Sequence, residues 1–139
     1  MMDVTIRIFS LLSHTPINDL GINFDGHWKC EDDAQTILRK LFAGGHESFQ
    51  KVLGNGYQVG GVITSHQESR KITLRFEVSN KIENGIFFNV NFHRDISTRQ
   101  AEQAIQIISE NYEKDLEDVI NIAKELIGEP EETWKPKQE

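Results

Sequence analysis

The sequence contains a single cysteine, Cys30, so an internal disulfide framework is excluded and a reducing compartment is compatible with it. A chain of 139 residues has no need of one, because that length can bury the core of one ordinary domain. Cys30 reads as a buried small hydrophobe. A thiolate nucleophile needs a base beside it, and the nearest in sequence, His27, falls on the opposite side of a strand. Long apolar runs are also missing. None approaches the eighteen or so residues of a membrane span, and Arg7 interrupts an N-terminal stretch that lacks a basic flank. The expectation is a soluble, cytoplasmic protein without a signal peptide.

Positive charge is in deficit: 15 Lys and Arg stand against 22 Asp and Glu, a net charge of −7. The imbalance is local. Residues 1–96 carry 10 basic and 11 acidic side chains, whereas 97–139 carry 5 and 11. An acidic C-terminal region with no basic cluster repels phosphate backbones, which argues against a nucleic-acid partner.

Complete catalytic motifs are absent too. His46-Glu47 begins a zincin pattern, but Gln50 stands where the second histidine is required. Gly54-Asn55-Gly56 and Gly60-Gly61 have neither the spacing nor the lysine of a phosphate loop, and they precede a strand rather than open a helix. A turn and a bulged strand account for them. No serine lies in a G-x-S-x-G elbow, so a hydrolytic triad would have to be assembled from dispersed residues. No cofactor is implied, and enzyme activity is not the expected role.

What is present is hydrophobic periodicity. Val4 to Ser10 alternates and predicts a first strand; Leu20 to Cys30 predicts a second, with Gly26 at a bulge or close contact. Asp32 or Asp33 caps a helix carrying Ala34, Ile37, Leu38, Leu41 and Phe42, stopped by Gly44-Gly45, and Glu47 to Leu53 adds two further turns. Strands at Tyr57–Ser65, Lys71–Ser79 and Ile86–Phe92 follow, joined by short polar connectors as in an antiparallel meander. Ser97 to Ile127 then forms one long amphipathic helix, with Ser97 and Gln100 as a capping box and Gly128 and Pro130 as the stop. The fold class is therefore α+β: an antiparallel sheet of about five strands in the order β-β-α-β-β-β-α, with helices on one face. Residues 1–128 make one domain, and 129–139 read as a flexible polar tail.

Two strands carry matching polar rows, Asn23-Asp25-His27 and Asn89-Asn91-His93. If the strands pair, these six groups share one sheet face. Asp25, His27 and His93 are then candidate metal ligands or proton carriers for a small metal-dependent hydrolase, while the plain alternative is a wet face clothed in polar side chains. Phe9 and Phe87 fall on the polar parity of their strands and are candidate anchors for a protein partner. A helix of about 45 Å exceeds what a small sheet needs. Its N-terminal half, through Ile105, Ile108 and Tyr112, is assigned to the core, and its C-terminal half, with Leu116, Ile120 and Ile127, to a partner.

The segments Thr15-Pro16-Ile17-Asn18-Asp19-Leu20-Gly21-Ile22-Asn23-Phe24-Asp25-Gly26-His27-Trp28 and Gly85-Ile86-Phe87-Phe88-Asn89-Val90-Asn91-Phe92-His93 resemble uncharacterised bacterial proteins with a T-P-x-x-x-L-G-I-N segment, a late G-V-x-x-x-V-N strand and a long closing helix. The meander followed by a long helix is also similar to the layout of the SecB export chaperone, although this chain has a helix inside its strand series. That resemblance implies an acidic cytoplasmic oligomer that holds unfolded chains. The leading expectation is a non-enzymatic protein-binding or assembly module, most simply a homo-oligomer, with a holdase and a metal-dependent hydrolase as alternatives.

Overall fold

The computed structural model describes residues 2–11, 14–42, 44 and 46–130. Its elements are α1 (Met2–Leu11), β1 (Asp19–Lys29), α2 (Ala34–Leu41), α3 (His46–Leu53), β2 (Gly61–His66), β3 (Lys71–Val78), β4 (Gly85–Asp95) and α4 (Ala101–Ile127). The four strands form one antiparallel sheet in the order β1-β4-β3-β2. The fold is α+β, and the three strand pairs of the register are unbroken, so Gly26 faces Phe88 without a bulge.

Period-two patterning decides which sheet face is covered. Ile72, Phe76, Ile86, Phe88, Val90 and Phe92 lie on one face and are buried. With Trp28, Leu38, Val119, Ala123 and Ile127 they make the larger core. Each such side chain contributes roughly 1.5–3 kcal/mol on leaving water. A second core joins Leu20, Ile22, Ile96, Ala104 and Ile108 at the other end of α4, with Ile6, Phe9 and Ile17 packed against it.

The predicted fifth strand is the first correction. Val4 to Ser10 lies in α1, which packs on α4. The run Val4-Thr5-Ile6-Arg7-Ile8-Phe9 alternates, yet Ile6 and Phe9 also share a helical face, and burial of that face against α4 overrides the β-propensity of a β-branched run. Phe9 is accordingly a packing residue between two helices and has no place on the sheet.

The second correction concerns α4. Buried residues run its whole length, at Ala101, Ala104, Ile108, Asp115, Val119, Ala123 and Ile127. Its 27 residues span about 40 Å, and β1 and β4, with 11 residues each, span about 36 Å. The helix is long because the strands are long. Ile127 is 3% exposed and belongs to the core, while Leu116 and Ile120 are half-buried. The helix also starts later than the capping box implied. Gln100 makes no side-chain cap bond, and Gln103 Oε1 instead accepts from Thr98 N at 2.9 Å and Thr98 Oγ1 at 2.8 Å. Arg99 turns the chain there in the left-handed region, φ 55°.

Other local signals act as read. Asp33 caps α2 by accepting from Thr36 N at 2.8 Å and Thr36 Oγ1 at 2.7 Å, which lowers the pKa of its carboxyl. Gly60 and Gly61, read from sequence as a bulged strand, are a departure: the β2 register has no bulge, and the glycines instead allow close approach, since a Cβ on Gly61 would run into the Phe42 ring and one on Gly60 would meet the Phe76 carbonyl at 2.8 Å. Cys30 is 2% exposed, and burial pushes its thiol up to about 11. Pro130 forms an isolated bridge with Cys30, so the predicted tail is tied down at its start; 131–139 lie outside the described residues. Gly45, assigned to a helix stop, also lies outside them. Among the described residues no helix is long and apolar enough to cross a membrane.

Candidate functional site

The open face of the sheet carries both polar rows side by side. Asn23 stands opposite Asn91, Asp25 opposite Asn89, and His27 opposite Phe87; β3 adds Lys71, Thr73, Arg75 and Glu77. Asn91 Nδ2 donates to Asn23 Oδ1 at 2.9 Å. The face is shared as the alternation requires, but the candidate ligands do not converge. His93 is opposite Gly21, four positions along β1 from Asp25, about 13 Å at strand rise. Among the described residues no three His, Cys, Asp or Glu side chains are grouped to hold a metal ion.

His27 has a defined role instead. Its Nδ1 lies 2.7 Å from Ser79 Oγ, and that oxygen accepts from Lys81 N at 3.1 Å and Ile82 N at 2.9 Å. With its acceptor capacity used by two amides, the hydroxyl donates its proton to Nδ1, which fixes a neutral imidazole protonated at Nε2. Burial and then the positive charge of Lys81 lower the His27 pKa, against a smaller upward pull from Asp25. The imidazole packs on Phe87 with ring centroids 5.1 Å apart. Phe87, proposed from sequence as a free aromatic anchor, is therefore half-buried beneath a histidine.

The two edges of the sheet differ more sharply than its faces. Edge strands expose unpaired backbone donors and acceptors, and charge is the usual guard against pairing with another chain. The β1 edge carries Asp19, Asp25 and Lys29, and the Cys30–Pro130 bridge occupies the position beyond its end. The β2 edge reads Gly-Val-Ile-Thr-Ser-His, with no carboxylate, lysine, arginine or proline. Val62 is 62% exposed and Ile63 41%. Val62 faces the polar side with Arg75, and Ile63 faces the helical side with Leu74.

Sequence reasoning missed this edge. It identified the strand but not its place, because strand order depends on pairings between distant segments. A legible signal was present nonetheless: three consecutive β-branched residues, Val62-Ile63-Thr64, without a flanking charge. Among the described residues the other large exposed apolar side chains lie on α1, at Val4, Ile8 and Leu11, and on α3, at Phe49, Val52 and Leu53. Comparison of the chain with protein-family models, with curated proteins and with solved structures finds no match.

Proposed function

We propose that this protein is a non-enzymatic assembly module that self-associates by pairing β2 with β2 of a second copy. The observation that carries the reading is the unguarded edge, where Val62 and Ile63 stand in solvent on a strand with one unpaired side. An antiparallel pair about a two-fold axis perpendicular to the sheet keeps each face continuous across both copies, and it requires facing residues of like parity. A register centred on Ile63 meets that requirement. It sets Ile63 against its own copy on the helical side, and Val62 against Thr64 on the polar side at both flanks. These are β-branched cross-strand pairs, the kind that stabilise antiparallel sheets. The product is one continuous sheet of eight strands, twice the four of each copy.

Sedimentation velocity over a wide concentration range tests this. The native chain is expected to pass from monomer to dimer as concentration rises, and Ile63→Lys to remain monomeric with unchanged circular dichroism, because an edge lysine is tolerated in the monomer but charged against its own copy in the pair. A native chain that stays monomeric throughout, or an Ile63→Lys variant that dimerises equally, would overturn the reading.

A further inference from the structure

A cleft lies between α2, α3 and the segment leading into β2. Its volume is about 310 Å³, at the small end of the range for ligand sites. The walls are mainly aromatic: Phe42 from the end of α2, Phe49 from α3 and Tyr57 from the connecting segment. Phe49 and Tyr57 have ring centroids 6.0 Å apart, and His46 hydrogen-bonds the Tyr57 hydroxyl. The polar end is cationic, with Arg39 in the wall and Lys40 beside it.

Arg39 is incompletely satisfied. Its Nε is buried and has no hydrogen-bond partner, and Nη2 reaches only Gln35 Oε1 at 3.5 Å and the Tyr57 carbonyl at 3.4 Å. Among the described residues no carboxylate lies within ion-pair distance of Arg39 or Lys40. The guanidinium sits 5.3 Å from the Tyr57 ring centre, which holds its plane but supplies no acceptor. A buried N–H without an acceptor is costly, and a guanidinium edge matches a carboxylate in bidentate geometry. The helix opposite is equally incomplete. α3 buries none of its residues, and Phe49 remains 46% exposed beside the cleft. Nε is shielded from the cleft, so an occupant would meet the guanidinium through its weakly held Nη groups while covering Phe49.

We infer that this cleft binds a small aryl carboxylate, a single ring with a short acid arm. The carboxylate takes the Nη donors of Arg39, the part of the guanidinium that a ligand can reach, with Lys40 adding charge at the rim. The ring lies among Phe42, Phe49 and Tyr57, and covering Phe49 fastens α3 to the domain. The charge at one end sets the orientation of the ligand.

The test uses trans-cinnamate as probe and its neutral amide, cinnamamide, as control, followed by amide chemical shifts of the full chain. Saturable shifts confined to α2, α3 and residues 57–60, with binding at least tenfold weaker for the amide and for Arg39→Gln, are expected. Hydrogen exchange in α3 should slow when cinnamate is bound. Absence of saturable binding up to the solubility of cinnamate, equal binding of acid and amide, or unchanged binding in a folded Arg39→Gln chain would overturn the inference. Should Arg39→Gln fail to fold, the acid-to-amide ratio on the native chain decides alone.

Discussion

Arg94 and Asp115 face each other as two forks: Nη1 and Nη2 of the guanidinium each donate to one carboxylate oxygen at 2.7 Å, and Asp115 is wholly buried. Arg94 occupies an apolar-face position of β4 and Asp115 an apolar-stripe position of α4, so this pair fastens helix to sheet where hydrophobic contact would otherwise do so. Arg70 completes the cluster, donating to Asp115 at 2.7 Å and Asp118 at 2.6 Å while lying 4.5 Å from the Phe92 ring centre. Removing Asp115 leaves the buried Arg94 without a carboxylate and Arg70 with Asp118 alone. Asp115→Ala is expected to lose about 3–5 kcal/mol in urea unfolding, whereas Arg94→Met with Asp115→Leu should recover most of that loss. A loss below about 1 kcal/mol for the single variant would show that the cluster does not hold α4 in place.

Asn84 is a second fastening, made by backbone contacts. Its Oδ1 accepts from Ala34 N at 2.8 Å, and its Nδ2 donates to the carbonyls of Cys30 and Asp32 at 3.1 Å each. One side chain thus ties the β3–β4 turn to the start of α2, from a backbone at φ 51° that asparagine tolerates better than most residues. Asn84→Ala is expected to cost about 4 kcal/mol, from roughly 1 kcal/mol for each of the three bonds plus about 1 kcal/mol of left-handed strain. Asn84→Gly should lose the bonds without the strain and be the less damaging of the two. Equal thermal midpoints for native and alanine chains would contradict this.

The neutral His27 gives a pH dependence of definite sign. Its pKa in the folded chain lies below 6.5, so as pH falls through 6.5 the unfolded chain binds a proton that the folded chain resists. Stability therefore falls with acidification, over the window from 6.5 down to the folded-state pKa. Urea midpoints taken from about pH 7.5 to about pH 5.5 should drop more for the native chain than for His27→Gln. Parallel slopes would contradict the lowered pKa of His27.

Cys30 should behave as an inert thiol. With burial raising its pKa to about 11, Ellman's reagent is expected to react with it only as fast as the chain opens, and immediately in denaturant. Prompt reaction in the native state would show an accessible sulfur and contradict the burial.

Much of the architecture was legible because period and burial agree. β1, β3 and β4 alternate cleanly with one face covered, Asp33 stands one residue before α2, and the two polar rows do share a face. α1 was not legible, since its run satisfies two periods at once and the contact that chooses between them is with α4, distant in sequence. Arg94 and Asp115 were visible as charges at apolar positions, but nothing local said that they meet. The candidate sites were less legible still. The register that separates His93 from Asp25, the edge position of β2 and the approach of Tyr57 to Arg39 all arise from non-local packing.

The most direct test of the proposed assembly is disulfide capture at Ile63. In the register centred on that residue, the two copies of position 63 are directly opposed, at the Cα separation of about 4.5–5.5 Å that a disulfide spans. Ile63→Cys, with the buried Cys30 left in place or replaced by alanine, should give a covalent dimer under mild oxidation, and His66→Cys, far from the axis, should not. Dimer at position 63 alone is the predicted result; no dimer there, or equal capture at both positions, would contradict pairing through β2.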